Sequence, residues 1–186
     1  MRIVSGKLKG RRLASFGGRR IRPTSDIVRE AIFNILTVEW EGKEVLDLFS
    51  GTGALGIEAL SRGASQVVFV ENHSQSLLLL DKNINTLSIS DNCEVLRLRV
   101  EKGIGFIKKK GWKFDVVFLD PPYDEGLTDD TLRLIAGSDI LKVDGVVVAE
   151  HQYKETLSNR YRKLQLSDRR KYGKTEVSFF YIRQTG

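Results

Sequence analysis

The chain has 186 residues, 41% of them apolar, and a formal net charge of +6. That length suits one domain with a sizeable core, and no apolar run is long enough to cross a bilayer as a helix. Cys93 is the only cysteine, which excludes an internal disulfide; a basic N-terminus with no apolar signal core predicts a cytoplasmic protein.

The charge is partitioned. Residues 1–22 carry eight basic groups and no acid, residues 153–186 nine basic and three acidic groups, and the stretch between them thirteen basic and twenty-one acidic groups. Basic ends around an acidic centre predict a polyanionic partner. Solvated tails would carry the same charge, but both ends also show strand patterning.

Residues 2–15 read as one or two short strands with Gly6 and Gly10 at turns or bulges. Lys7, Lys9, Arg11 and Arg12 are interleaved with Leu8 and Leu13, so one face packs while the other meets phosphate. Gly17-Gly18 and the basic run Arg19–Arg22 follow, and Pro23-Thr24-Ser25 predicts a helix start with Thr24 or Ser25 as N-cap. Over 26–38, Asp26, Arg29, Glu30, Asn34 and Thr37 form one polar stripe, while Ile27, Val28, Ala31, Ile32, Ile35 and Leu36 face a sheet. A helix just ahead of a glycine turn can line a cleft. Arg29 is placed there as a contact for the polyanion, although an exposed polar stripe gives the same pattern.

Residues 44–56 read as a strand, a glycine turn and a helix start, and Gly51-Thr-Gly53-Ala-Leu-Gly56 matches G-x-G-x-x-G. The acids discriminate further. Asp47 lies four residues before Gly51, where it repels a pyrophosphate and attracts a cation. S-adenosylmethionine has no phosphate and carries both an ammonium and a sulfonium. Glu71 ends the next strand, 66–71, at a distance suited to a ribose diol, which either class of cofactor offers. A helix over 74–87, a strand over 93–98 and a helix over 101–110 ending in Lys108-Lys109-Lys110 follow; His73 reads as an exposed loop residue.

The apolar strand 114–119 then runs into Asp120-Pro121-Pro122-Tyr123. Two prolines end a ladder, so a carboxylate and a ring are held on stiff backbone at a strand's carboxyl end, where open α/β sheets bind ligands. The Asp120 carboxylate and the Pro121 carbonyl can accept the two N–H groups of an exocyclic base amine and turn its lone pair toward an electrophile, with Tyr123 stacked on the base. A plain Pro-Pro turn would read the same way. A helix over 129–136, a strand over 144–151 ending in a structural His151, and strands over 160–168 and 175–183 complete the chain. The last two are joined by a basic loop whose Arg169, Arg170 and Tyr172 suit phosphate contact and stacking. No His, Cys or Asp cluster has metal-ligand spacing.

Strand–helix alternation closed by a hairpin resembles the class I S-adenosylmethionine-dependent methyltransferases. The segments 2–13, 22–34, 47–64, 118–123 and 170–175 resemble the bacterial rRNA small-subunit methyltransferase D family. That resemblance implies an α/β, Rossmann-like, mostly parallel sheet of seven strands with the last antiparallel. It also implies a basic N-terminal β extension over 1–22 that contacts RNA, and a methyltransferase domain over 23–186. The implied reaction is methyl transfer from S-adenosylmethionine to the exocyclic N2 of one guanine in 16S rRNA, on the small subunit or an assembly intermediate, by a monomer without metal. Asp47, Phe49, Gly51, Gly53, Glu71 and Asn72 would hold the cofactor, Asp120 to Tyr123 the guanine, and Lys7, Lys9, Arg11, Arg12, Arg22, Arg29, Arg169, Arg170 and Tyr172 the RNA. One departure stands out: Arg99 lies where such enzymes place an acceptor for the adenine amine, and a guanidinium cannot accept. An adenine-N6 or cytosine-N4 methyltransferase shares the tetrapeptide. A nucleotide-dependent oxidoreductase shares the glycine turn, and a non-catalytic RNA-binding module shares the charge.

Overall fold

A computed structural model describes residues 1–16, 26–123 and 126–182. The expected helix cap at Thr24 or Ser25, the Gly17-Gly18 link and the basic groups Arg19, Arg20 and Arg22 lie outside the described residues. Among the described residues, eight strands form one sheet: β1 (Glu44–Leu48), β2 (Gln66–Val70), β3 (Cys93–Leu96), β4 (Phe114–Leu119), β5 (Leu141–Gln152), β6 (Arg160–Tyr161), β7 (Leu164–Tyr172) and β8 (Thr175–Ile182). Among the same described residues, five α-helices flank it: α1 (Asp26–Ile35), α2 (Ala54–Arg62), α3 (Ser74–Leu87), α4 (Val100–Lys110) and α5 (Leu127–Ser138).

The strand order is β3-β2-β1-β4-β5-β8-β7-β6. β1 to β5 pair in parallel, whereas β8 runs antiparallel to both β5 and β7. The antiparallel last strand is as predicted. The sheet has eight strands rather than seven because the predicted strand 160–168 breaks at the Arg162-Lys163 turn into β6 and β7. β5 also starts earlier than predicted: it pairs Leu141 with Phe114, and its register shifts before Val146 meets Val116.

The parallel strands are apolar on both faces because helices cover both. α1, α2 and α3 pack on the face carrying Val116, Phe118, Val146, Val148, Val177 and Phe179. α4 and α5 pack on the face carrying Val117, Leu119, Val147, Ala149 and Phe180. The N-terminal arm joins the first layer through Ile3 and Leu13. It folds back through an antiparallel bridge between Arg2 and Arg12 rather than as full strands, with Gly6 and Gly10 at positive φ as the turn reading required. The sheet grows from β1 toward β3 on one side and from β4 toward β5 on the other. The carboxyl ends of β1 and β4 therefore flank the point where such sheets open a crevice.

Candidate active site

Register places the acids. Asp47 pairs with both Phe69 and Phe118, whose side chains lie in the α1–α3 layer. Side chains alternate along a strand, so Glu71 (two residues past Phe69) and Asp120 (two past Phe118) emerge on that same face at the carboxyl edge. Glu150, two past Val148, joins them. All four line one cavity of about 720 Å³ with Phe49, Gly51, Asn72, Pro121, Pro122, Tyr123 and Tyr172. Gly53 does not line it; at φ +81° its missing Cβ would meet the Leu80 side chain at 2.5 Å, so its task is the turn and the packing beneath it.

Asp47 is 2% exposed, and its Oδ2 accepts the Gly56 amide at 2.9 Å in the first turn of α2. Its pKa is raised well above the usual value, first by burial and then by the charges of Asp120 and Glu71, against the lowering effect of the Gly56 amide. The helix N-terminus that would host a pyrophosphate is thus already occupied by a carboxylate. Glu71 is buried too: Oε2 accepts from the Gly51 amide at 2.9 Å and Oε1 from the Asn72 and His73 amides at 2.7 Å each. These bonds rigidify the glycine turn and leave a lone pair on Oε2 for a ligand hydroxyl. Arg99 and Glu101, at the start of α4, form the cavity's far wall.

Asp120 is half-buried, Pro121 buried and Pro122 exposed. The Tyr123 hydroxyl donates to Glu150 Oε1 at 3.3 Å and lies 2.8 Å from Thr175 Oγ1. Burial pushes the Tyr123 phenol up to about 12, so it stays protonated and fixes its ring. Sequence reasoning missed Glu150 and Thr175. A signal for Glu150 existed: Val-Val-Phe-Val-Glu71, Val-Val-Phe-Leu-Asp120 and Val-Val-Val-Ala-Glu150 are three apolar runs each ended by an acid.

The basic groups divide. Lys7, Lys9, Arg11 and Arg12 are exposed on the arm, as an RNA contact requires. Arg29 is not available for one: it is 0% exposed. Its Nη2 donates to the Asp26 carboxylate at 2.9 Å and to the Arg2 carbonyl, and its Nε lies 3.7 Å from Glu58. Glu58, 1% exposed, accepts the Val4 and Ser5 amides at 2.8 and 3.0 Å and ion-pairs with Arg62. Arg29 therefore locks the arm onto α2, because a buried carboxylate needs cations beside it. The predicted loop 169–174 is also corrected. Its residues extend β7 up to Tyr172, leaving Gly173 and Lys174 as the turn. Alternation then splits the set. Arg170 and Tyr172 pair with Val177 and Thr175 on the cavity face, whereas Arg169 pairs with Ser178 on the other face and bonds Glu176.

The model of the family described as Conserved hypothetical protein 95 matches residues 1–181. A Bacillus subtilis protein carrying the provisional name rRNA methyltransferase YlbH is 37% identical over 180 residues, which is 97% of this chain and 98% of that relative. The Escherichia coli protein named ribosomal RNA small subunit methyltransferase D is 34% identical over 157 residues, 84% of this chain and 77% of that relative. The solved structure of the Escherichia coli protein yhhF, provisionally called a methyltransferase, superposes with a TM-score of 0.84 at 31% identity, covering 98% of this chain and 97% of that one.

Proposed function

The chain belongs to the Conserved hypothetical protein 95 family and has the Rossmann-like methyltransferase fold, and from that premise we propose that it methylates the exocyclic N2 of a guanine in 16S rRNA, in the cytoplasm, with S-adenosylmethionine as donor. The names of its relatives support an rRNA substrate. The observation that carries the reading is the cluster of strand-end acids, with Asp47 buried on the α2 N-terminus beside Asp120 and Glu71. Such a site disfavours phosphate and calls for a cation.

The cofactor supplies a methyl group on a positively charged sulfur. Asp47 would compensate the cofactor's positive charge, Glu71 would accept from a ribose hydroxyl, and Phe49 with the Gly51 backbone would close the adjoining wall. Glu101 and backbone carbonyls would take the adenine amine, since Arg99 cannot accept. Asp120 and the Pro121 carbonyl would hold the two N–H groups of the base amine and orient its lone pair toward the cofactor side of the cavity. Asp120 is placed to take the proton that the amine sheds. Tyr123 offers a fixed ring for stacking, so the target base enters unpaired or flipped. Lys7, Lys9, Arg11, Arg12 and Arg170 face the RNA backbone, and Tyr172 stacks at the cavity rim.

The test is transfer of labelled methyl from S-adenosylmethionine to small-subunit rRNA, naked and as ribonucleoprotein, with nucleoside digestion and Asp120→Ala in parallel. N2-methylguanosine from the wild type alone is expected. Methylated adenosine or cytidine would replace the base assignment. A thermal shift with NAD and none with S-adenosylmethionine would favour an oxidoreductase.

A further inference from the structure

Glu150 has no task in the reading above, yet its position is specific. The last β4–β5 pair is Leu119 with Ala149. One step further, Asp120 and Glu150 follow at the carboxyl end of neighbouring strands, whose spacing is about 4.8 Å, and both line the same cavity. Glu150 is 6% exposed and shares the cavity wall with the Asp120–Tyr123 tetrapeptide. Its carboxylate is oriented by the Tyr123 hydroxyl, and that hydroxyl is itself held by Thr175. The ring assigned to stack the base thus also aims the second carboxylate.

The chemistry of base edges gives this pair a meaning. Guanine presents two neighbouring donors, the ring N1–H and the exocyclic amine. Adenine and cytosine present an amine beside a ring nitrogen lone pair. With the amine on Asp120, the adjacent ring position of the base faces the next strand. There a carboxylate accepts N1–H of guanine and meets the lone pair of the other two bases with repulsion. Resting on the guanine-N2 reading, we infer that Glu150 accepts the guanine N1–H and is the residue that selects guanine over adenine and cytosine.

The test uses the guanine mapped by the transfer assay, replaced in ligated rRNA by 2-aminopurine. This analogue keeps the C2 amine but carries a lone pair at N1. The wild type should prefer guanine by about 10²- to 10⁴-fold in kcat/KM, because a site built to bond a donor rejects the analogue lacking it. 2-Aminopurine also lacks O6, so the variant decides the cause. Glu150→Gln can donate to N1, and its preference should fall by at least about tenfold, with gain on 2-aminopurine as well as loss on guanine. A Glu150 that merely holds Tyr123 would slow both substrates equally and leave the preference unchanged, which overturns the inference. Equal use of the two bases by the wild type overturns it without any variant, so a misfolded Glu150→Gln does not shield it. Product identity separates the two readings. N2-methylguanosine with an unchanged preference sinks the role of Glu150 alone, whereas methyladenosine or methylcytidine sinks the guanine assignment and this inference with it.

Discussion

Replacing Asp47 by Asn should stabilise the cofactor-free protein while weakening cofactor binding. The carboxylate is 2% exposed, with one amide bond from Gly56 and two acids nearby. Asn keeps an acceptor for Gly56 and removes the charge. An acid whose folded pKa lies above its unfolded value of about 3.9 takes up protons on folding. Its ionisation therefore costs stability progressively as pH rises from there through the folded pKa, and the full cost persists above it. At neutral pH the variant should gain about 1–3 kcal/mol, the order of the gain when buried ionic groups are replaced by uncharged side chains of similar volume. For a chain of this size that is roughly 2–12 °C in Tm. Near pH 4 the two proteins should melt together. His151, whose imidazole burial holds down at about 4, adds an opposite slope below its ordinary value, but it is present in both proteins and cancels. Calorimetric titration with S-adenosylmethionine should show at least about thirtyfold weaker binding, from losing a buried charge partner worth about 2–5 kcal/mol. A variant that melts lower than wild type at pH 7, or by a margin that ignores pH, would refute this account of Asp47.

Asp120→Asn should lower kcat by at least about 10²-fold while leaving S-adenosylmethionine affinity within about threefold, as expected for a group that acts on the target amine; a matching loss of cofactor affinity would move Asp120 to the cofactor side. Arg29→Met should lower stability by about 3 kcal/mol, roughly 6–12 °C, by leaving Glu58 undercompensated. It should leave the salt dependence of RNA binding unaltered, and a shallower salt slope at unchanged Tm would return Arg29 to the RNA face. Changing Lys7, Lys9, Arg11 and Arg12 together to Gln should flatten the slope of log K against log salt by up to about 3 units, and an unchanged slope would remove the arm from the RNA interface.

The central sheet was legible because parallel strands covered on both faces read as unbroken apolar runs, and each of the runs into Glu71, Asp120 and Glu150 stops at a charge. The far edge was not. β7 is covered less, so its polar residues alternate with little apolar signal, and Arg169, Arg170 and Lys171 read as a loop. Arg29 failed for a different reason. Helical periodicity marks a polar stripe but cannot say whether its partner is water or a buried acid. Here the partners, Glu58 on α2 and the arm's backbone at Arg2, lie 29 and 27 positions away in sequence. The Gly51-to-Gly56 turn was read correctly as a motif, yet the tasks of its glycines differ. Gly53 and Gly56 leave room for Leu80 and for the Val67 and Phe69 side chains, whereas a Cβ at Gly51 would meet only the Phe49 carbonyl oxygen, at 3.9 Å.

Period-two alternation also explains why one sheet edge collects the chemistry. A charge deep inside β1, β4 or β5 would be stranded between two helix layers, so the acids of the site lie at or near the carboxyl ends of these strands, where the crevice begins. Four of them then share a face, because their strands are in register and each acid sits an even number of residues beyond a core position. Asp47 carries the most information. It lies one residue inside the end of β1 and is more deeply buried than Glu71 or Glu150. Nothing in the packing of β1 requires an anion there, and a fold selected for stability alone would place an amide or an aliphatic side chain. A buried anion that is disfavoured without a ligand becomes favourable when a cation arrives. The stability gained by Asp47→Asn and the affinity it loses are therefore two readings of the same electrostatic free energy, and they should rise and fall together across Asp47 variants of equal size.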